Sequence, residues 1–316
     1  MLASPAWNRI FTRSWFLALL FLLVCGLVAP APDFSVIDST TGIRLQRVEE
    51  DTSPALRIIL PGQPASDPGV LVLFPEHVTA REHGKTSSSH LYRYRPGDQG
   101  SRPAWRRSGQ SLEYEMDLTG GVRVIARATL ESDGIRYHYY FVNKSSVNYD
   151  MVQAVTDPRM ISPYFRDVRL QRTYVHHRDG FDLLASETPS RLTMSLKDWL
   201  PNRYRASYTW PVEPNRIEKK EEGITWYNKS RPVDEPFVAT QSTDGKWILA
   251  TFTQDPGNVW SNPELTCQHA DPETPLKAGG KASFELKSLL IQSTLDEVLA
   301  KVRQQRDRLQ AGPTPD

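Results

Sequence analysis

Two adjacent histidines, His176 and His177, are followed closely by Asp179 and Asp182. A histidine titrates near neutral pH, so a histidine beside a carboxylate can serve as a general acid or base. Adjacent residues of a strand point to opposite faces, so at most one of the two histidines faces a given pocket. His176 is therefore a candidate catalytic residue. The alternative, which the pattern favours, is that both make ordinary hydrogen bonds at a strand edge and a polar turn.

A second cluster contains Cys267 and His269, which are two positions apart. A strand would place both on one face, where they could supply two ligands to a soft metal ion. Two ligands do not make a site, and a third would have to come from elsewhere, such as His176. The simpler interpretation is a buried, unpaired cysteine beside a hydrogen-bonded histidine. We therefore predict no metal and no other cofactor.

Acidic residues are numerous in connections that contain Pro or Gly. Glycoside hydrolysis needs two carboxyl groups about 5–5.5 Å or about 6.5–9.5 Å apart, and the spacing along the chain singles out no such pair. Most carboxylates in loops are simply solvated. The acidic residues of this kind are Asp157, Asp167, Asp179, Asp182, Glu187, Asp255, Glu264 and Asp271.

A set of tryptophans and tyrosines between Trp199 and Trp260 lies in the second half of the chain, several beside Pro, Arg or Asn in predicted loops. An exposed ring can cover the apolar face of a sugar while neighbouring polar groups bind its hydroxyls. The alternative is that these rings pack in a core with their polar atoms satisfied, which we favour for Trp226 and Trp247. The candidate ligand-binding residues are Trp199, Tyr204, Trp210 and Trp260, with His176, Arg178 and His269 as polar partners.

The elements that must position these side chains are mostly strands, because hydrophobicity alternates with a period of two from residue 33 onward. Val122–Glu131 and the run around Tyr137 and Tyr139 alternate in this way across a Ser-Asp-Gly turn, which predicts a hairpin. A second hairpin is predicted from Phe237–Gln241 to Trp247–Phe252. Further strands are predicted at Ile43–Glu49, Ala55–Leu60, Val70–Phe74, Leu112–Leu118, Met151–Ala154, Arg191–Leu196, Ile224–Tyr227 and Ser283–Ile291.

Many short strands separated by Pro, Gly, Asp and Ser are typical of a sandwich or barrel. We therefore predict an all-β fold: a large, mostly antiparallel β-sandwich of the supersandwich kind over residues 33–292. Capping residues and apolar spacing predict a C-terminal α-helix over 293–310, followed by a disordered tail over 311–316. The charged stretch Pro201–Glu222 contains three aromatics, so we predict an ordered long loop there rather than a linker.

The N-terminal segment, residues 1–31, has two arginines before an apolar run of the length found in export signals. Small residues follow the run, but so do two prolines that disfavour cleavage. We therefore predict a signal peptide, with an uncleaved N-terminal anchor as the alternative. Either way the protein is exported, to the periplasm or outside the cell, and contacts a membrane only through this segment if it is uncleaved.

Composition excludes several classes of function. The chain has 38 basic and 37 acidic residues among 316, so no global positive field supports nucleic-acid binding. Without residues 1–31, 36 basic residues face 37 acidic ones and one of the two cysteines remains. Stability must then come from a core rather than from a disulfide. No phosphate loop, dinucleotide fingerprint, nucleophile elbow or paired Cys-x-x-Cys site is present.

At the C terminus, a Cys/His segment (258–272) precedes a Pro-Leu-x-x-Gly-Gly connection, a closing strand and a helix. This order resembles the ends of galactose-mutarotase-like β-sandwich domains, which occur in bacterial exported proteins and as accessory modules of carbohydrate enzymes. The resemblance implies a sugar-facing cleft. Two histidines and a glutamate carry the chemistry of the mutarotases; His176, His269 and Glu264 are of these types. Their flanking sequences differ from the family's, so catalysis does not carry over.

These observations lead to one functional hypothesis and two alternatives. The hypothesis is an exported β-sandwich that binds a carbohydrate or glycan-derived ligand without catalysis of its own. The first alternative is an epimerase, glycosidase or lyase on the same fold, using His176 or His269 with a carboxylate. The second is a structural interaction module of the cell envelope. The oligomeric state is left open.

Overall fold

In the computed structural model, the described residues form 21 strands and one α-helix. They are residues 34–50, 53–64, 66–93, 95, 103–186, 206–210, 219–221, 224–229, 231–263, 265–309 and 311–313. The predicted signal peptide or anchor therefore lies outside them, as do the predicted strand Arg191–Leu196 and the candidates Trp199, Tyr204 and Glu264. Within the described part of the chain, no helix combines the length and apolar character needed to cross a bilayer.

The first sheet has seven antiparallel strands. They are β1 Ser35–Ile37, β2 Arg44–Glu50, β3 Ser53–Ile59, β4 Val70–Glu82, β5 Ser89–Arg93, β10 Tyr149–Arg159 and β19 Glu273–Leu276. Their order is β1-β2-β3-β4-β10-β19, and β5 pairs with β4 on the same side as β3. The long central strands β4 and β10 pair with each other along nearly their whole length.

The second sheet has ten strands. They are β6 Arg106–Ser108, β7 Ser111–Asp117, β8 Val122–Glu131, β9 Gly134–Asn143, β11 Thr173–His177, β12 Gly180–Leu183, β16 Phe237–Gln241, β17 Trp247–Thr253, β20 Lys281–Gln292 and β21 Ala311–Pro313. The order is β12-β11-β16-β17-β20-β9-β8-β7-β6, with β21 beside β20. Both predicted hairpins, β8–β9 and β16–β17, are confirmed.

A third sheet of four strands contains β13 Ala206–Trp210, β14 Lys219–Glu221, β15 Ile224–Asn228 and β18 Val259–Ser261. β13 runs parallel to β18 and antiparallel to β15. The prediction of one long loop over Pro201–Glu222 is therefore wrong at β13 and β14. Period-two alternation of Tyr208 and Trp210 around Thr209 is compatible with a strand, and pairing on both sides of β13 stabilises it.

The main core lies between the first two sheets, which makes the fold an all-β sandwich. Phe74 of β4 packs against Tyr139 of β9, with ring centroids 4.9 Å apart. Tyr139 also shares a hydrogen bond with Thr156 of β10, with 2.7 Å between their oxygens. Residues of both sheets thus interdigitate, as aligned sandwiches do.

The predicted C-terminal helix is present as α1 Leu295–Arg306. A capping box between Thr294 and Glu297 begins it, and its buried face, including Val298 and Val302, packs on the outer side of the second sheet. Residues 311–313, predicted to belong to a disordered tail, instead pair with β20 as β21. β20 extends beyond the end of β17, and there its backbone N–H and C=O groups pair with β21.

Candidate functional site

The structure places His176 and His177 in β11, with separate partners. His176 Nδ1 lies 2.6 Å from Asp234 Oδ1, and the ring packs edge-on against Phe181. His177 Nδ1 lies 2.8 Å from the carbonyl oxygen of Pro232. The carboxylate beside His176 is thus Asp234 and neither of the aspartates that follow it in sequence.

The two nearby aspartates have other roles. Asp179 accepts hydrogen bonds from Arg231, at 2.9 Å. Asp182 accepts from Arg231 and from the buried Lys229, at 3.1 and 3.2 Å. Arg178 is exposed. None of the described partners of His176 is shared with His269, so the contacts do not join these two candidates in one site.

Five side chains form a charged cluster beside the first sheet. They are Asp157, Arg159, Cys267, His269 and Asp271, and four of them are almost completely buried. On β10, Val152 and Ala154 face the sandwich core. Asp157 and Arg159 have the opposite parity, so they lie on the outer face of this sheet. The charged cluster is therefore outside the main core and beneath another part of the chain.

That covering part is the segment from β18 to β19. An isolated antiparallel bridge between Arg159 and Cys267 joins it to β10, and a second, between Trp260 and His269, lies within the segment. Trp260 and His269 exchange backbone hydrogen bonds of 3.1 and 3.0 Å. Thr266 adopts a positive φ of 49°, a conformation uncommon for a residue with a β-branched side chain. The turn it makes directs Cys267 and His269 towards Asp157.

A bulge in β4 adds two more polar side chains. His77 pairs with Val155 and Leu73 with Asp157, so three residues of β4 lie opposite one of β10. Bulges of this kind re-aim side chains. Here Glu76 and His77 turn towards each other, with His77 Nδ1 3.7 Å from Glu76 Oε2. Arg159 then joins the two strands by donating to Glu76 at 2.8 Å and to Asp157 at 2.5 Å.

His269 is the centre of the charged cluster. Its Nδ1 lies 3.2 Å from Asp271 Oδ2, and its Nε2 lies 3.4 Å from Asp157 Oδ1. The indole of Trp260 stacks on the imidazole, with centroids 3.8 Å apart and planes 4° from parallel. The structure therefore brings together two of the predicted ligand-binding residues, Trp260 and His269.

The charges of the cluster are strongly shifted. Burial alone would lower the pKa of His269, but Cys267 and the two aspartates outweigh burial and raise that pKa well above its ordinary value. Burial would raise the pKa of Asp157, but His269 and Arg159 overcome it and hold that pKa below its usual range. Burial dominates at Cys267 and Asp271 and raises the pKa of both.

At the partly exposed edge, the pKa of Glu76 is raised by burial and by the charge of Asp157. Burial, with the nearby His90 and His269, lowers the pKa of His77 to about 4. His77 is therefore neutral at neutral pH. A neutral imidazole beside a carboxyl group that is easier to protonate than usual is a pair suited to proton transfer.

Sequence reasoning missed Glu76, His77 and Arg159. Arg159 follows Asp157 at the i, i+2 spacing of one strand face, and Pro75 interrupts the apolar run of β4. Those two signals together indicate a bulge and a charged face.

Trp210 lies in β13 and not in a loop. A separate cavity of about 530 Å³, lined by Asp133, Trp247 and Lys301 among others, includes none of the candidates.

Three residues could hold a metal ion. The ligand atoms of Asp157, Cys267 and His269 all lie within 4.8 Å of one another, and all three side chains are buried. Asp157 Oδ1 and His269 Nε2 have no hydrogen-bond partner in the described part of the structure. The sequence-based pair of Cys267 and His269 is thus joined by Asp157 and not by His176.

No protein-family model and no curated protein matches this chain. Among solved structures it is similar to the Slr1438 protein from Synechocystis sp. PCC 6803, at 9% identity over 83% of this chain and 96% of that one, with a TM-score of 0.45. A galactose mutarotase-like protein from Lactobacillus casei ATCC 334 matches at 9% identity over 82% and 99%, with a TM-score of 0.42. The GalM/aldose epimerase homologue from C. elegans matches at 10% identity over 83% and 99%, with a TM-score of 0.40.

One of these three neighbours is named as galactose mutarotase-like, the family that the C-terminal residues suggested, and another as a GalM/aldose epimerase homologue. Identities and TM-scores are low, so the fold stated above rests on the strand pairing of this chain. What the site can do rests likewise on its own side chains.

Proposed function

We propose that this protein binds a carbohydrate on the outer face of the first sheet, where Trp260 adjoins the charged cluster. The observation that carries the proposal is the stack of Trp260 on His269 at 3.8 Å, next to partly exposed polar groups. Glu76, His77 and Arg159 supply these groups, with 15–26% of each side chain exposed. A ring beside charged donors and acceptors can cover a sugar face and bind its hydroxyls.

The buried members of the cluster support this surface by fixing the outer side chains. Asp157 orients Arg159 through a 2.5 Å hydrogen bond, and Asp271 orients His269, on which the indole rests. Because these side chains are already held in one rotamer, they lose less conformational entropy on ligand binding than mobile side chains would. The surface is thereby preorganised for a polar, flat ligand.

The test is a glycan array, followed by calorimetric titration of each hit. Trp260→Ala should weaken binding at least tenfold, since it removes the stacking surface. Tyr140→Ala is the matched control, because Tyr140 is a partly exposed aromatic residue in the second sheet. An array without a hit, together with a melting temperature that a sugar panel leaves unchanged, would reject the proposal and favour an envelope interaction module.

A second candidate is an enzyme of the epimerase, glycosidase or lyase type. The observation that favours it is the Glu76–His77 pair, with a raised pKa on one member and a lowered pKa on the other. His77 would accept a proton from the bound sugar and Glu76 would donate one. Any sugar that binds should then show anomeric exchange, bond cleavage or elimination by NMR. Glu76→Gln should abolish this reaction while weakening binding far less than Trp260→Ala does. Unchanged turnover in Glu76→Gln would exclude this pair.

We also propose that residues 1–31 export the chain. The apolar run after Arg9 and Arg13 supports this. Fractionation of expressing bacteria should place the protein outside the cytoplasm, and the intact mass should show whether the segment is removed. A chain confined to the cytoplasm would refute export, and this outcome is independent of carbohydrate binding.

A further inference from the structure

Two polar atoms of the charged cluster face each other in a buried position. Asp157 Oδ1 and His269 Nε2 lie 3.4 Å apart, on side chains that are each 1% exposed. Neither atom has a hydrogen-bond partner in the described part of the chain. Buried polar atoms normally have a hydrogen-bond partner. A further group that binds both of these atoms is therefore expected at this position.

The third atom at this position is the sulfur of Cys267, within 4.8 Å of the other two. A thiolate, an imidazole nitrogen and a carboxylate oxygen are all ligands that Zn²⁺ accepts, at about 2.3, 2.0–2.1 and 2.0–2.2 Å. A tetrahedral ion with such bonds separates its ligand atoms by roughly 3.3–3.7 Å. The 3.4 Å between Asp157 and His269 falls within that range.

The surrounding hydrogen bonds leave the right lone pairs for a metal. His269 Nδ1 faces Asp271 Oδ2 at 3.2 Å, so a proton on Nδ1 leaves Nε2 as the acceptor. Asp271 is held in turn by the backbone N–H of Thr156, at 3.0 Å. A carboxylate behind a histidine is the usual outer support of a bound metal.

The two carboxylate oxygens of Asp157 also have separate roles. Its Oδ2 accepts from Arg159 Nε, which leaves Oδ1 towards His269 and Cys267. With Cys267 ionised, the three ligands carry two negative charges, which match a divalent ion. A soft thiolate with an imidazole and one carboxylate favours Zn²⁺ over Mg²⁺ or Ca²⁺, which prefer oxygen ligands alone.

We propose that Asp157, Cys267 and His269 bind one Zn²⁺ ion, with the fourth position filled by water or a bound ligand. The competing occupant is a proton on His269 Nε2, which would form an ion pair with Asp157. Metal and proton use the same lone pair, so they exclude each other. The inference is independent of the carbohydrate proposal, because a metal assay requires no sugar.

The test uses the full chain in a Cys25→Ser background, without a polyhistidine tag, stripped with a chelator and titrated with Co²⁺. One equivalent should produce tetrahedral d–d absorption and a thiolate-to-cobalt charge-transfer band, and Zn²⁺ should displace both. Cys267→Ser should abolish the charge-transfer band. Asp271→Asn should weaken metal binding about 10–100-fold. His83→Gln, which alters an exposed histidine, should change neither spectrum nor affinity.

Circular dichroism checks that each variant is folded. Where a variant does not fold, X-ray absorption of the Zn²⁺-loaded protein decides, and it should show one sulfur and at least two nitrogen or oxygen neighbours. Absence of one-equivalent binding, a charge-transfer band that survives Cys267→Ser, or a zinc shell without sulfur would each overturn the proposal. A protein without the metal site could still bind sugar at Trp260, so the two proposals fail separately.

Discussion

Asp157 shows how one residue can join three parts of the chain. From β10 it accepts a hydrogen bond from Arg159, approaches His269 of the covering segment, and through Arg159 connects to Glu76 of β4. Its side chain is 1% exposed. A carboxylate in such a position is tolerated only because cationic partners compensate its desolvation. Its removal therefore leaves Arg159 and His269 without their counter-ion.

We expect Asp157→Ala to lower the free energy of unfolding by about 3 kcal/mol, because it leaves buried positive charge without a counter-ion. Chemical denaturation in the presence of a chelator measures this loss without a contribution from metal. Asp150→Ala is the matched control on the same strand, since the Asp150 side chain is 43% exposed and pairs with an exposed histidine. Equal losses in the two variants would show that the buried ion pairs of Asp157 contribute no more to the free energy of unfolding than the exposed pair of Asp150.

His77 makes the stability depend on pH. Folding lowers its pKa from 6.5 to about 4, so between these values the unfolded chain binds a proton that the folded chain does not. The stabilisation is present above pH 6.5 and is lost as the pH falls towards 4. The difference is up to about 3 kcal/mol.

His77→Gln should therefore flatten the decrease in unfolding free energy between pH 6.5 and 4, measured by urea denaturation at several pH values. His83→Gln should leave that decrease as in the wild type. If the two variants retain the same slope as the wild type, His77 is protonated in the folded protein. That result would contradict the lowered pKa of His77 in the folded protein.

How much of the site the sequence predicts depends on which contacts are local. Cys267 and His269 share a strand-like spacing, and Trp260 lies close enough in sequence to be grouped with them. Asp157 is about a hundred positions away and reaches them only through the β10 bridge. Its role depends on register between distant segments, which no spacing along the chain encodes.

Among the elements, the β8–β9 hairpin was the best predicted, because its alternation and its turn agree. Gly134 begins β9 with φ of 146°, and a Cβ there would lie 2.0 Å from the carbonyl oxygen of Ser288 in β20. The glycine thus serves the turn and also the approach of the next strand. Local pattern and tertiary packing favour the same residue.

Gly134→Ala should destabilise the protein by more than about 2 kcal/mol, since a backbone clash adds to the unfavourable φ. Thermal denaturation of this variant is to be compared with Gly84→Ala. Gly84 also has a positive φ, of 76°, but a Cβ there meets nothing within 4 Å. A comparable loss at both positions would show that backbone conformation, and not the approach of β20, sets the cost.

The elements that the sequence does not predict correctly are short strands that form by pairing with a neighbouring strand. Prolines and charges around β13 and β14 predict a loop, yet β13 pairs with β15 and β18, and β14 pairs with β15. The C-terminal composition predicts a disordered tail, yet β21 pairs with β20. Short strands such as these have little propensity of their own and depend on an available neighbouring edge.

At the scale of the whole molecule, the part of the chain that the structure describes contains no disulfide, so its stability must come from the sandwich core. Cys267 is 1% exposed and is the only cysteine within the described residues. The other cysteine, Cys25, belongs to the proposed export segment. A thiol count in the purified protein therefore reports on burial and on export at once.

We expect a thiol reagent to find no reactive cysteine in the native protein recovered from the cell envelope, in the presence of a chelator. In guanidinium chloride it should find one if residues 1–31 have been removed and two if the segment remains as an anchor. A reductant should leave the melting temperature unchanged, because Cys267 is a buried free thiol and no internal disulfide is there to be reduced. Rapid native labelling would contradict the burial of Cys267. Two thiols after denaturation would exclude cleavage and favour an anchored form.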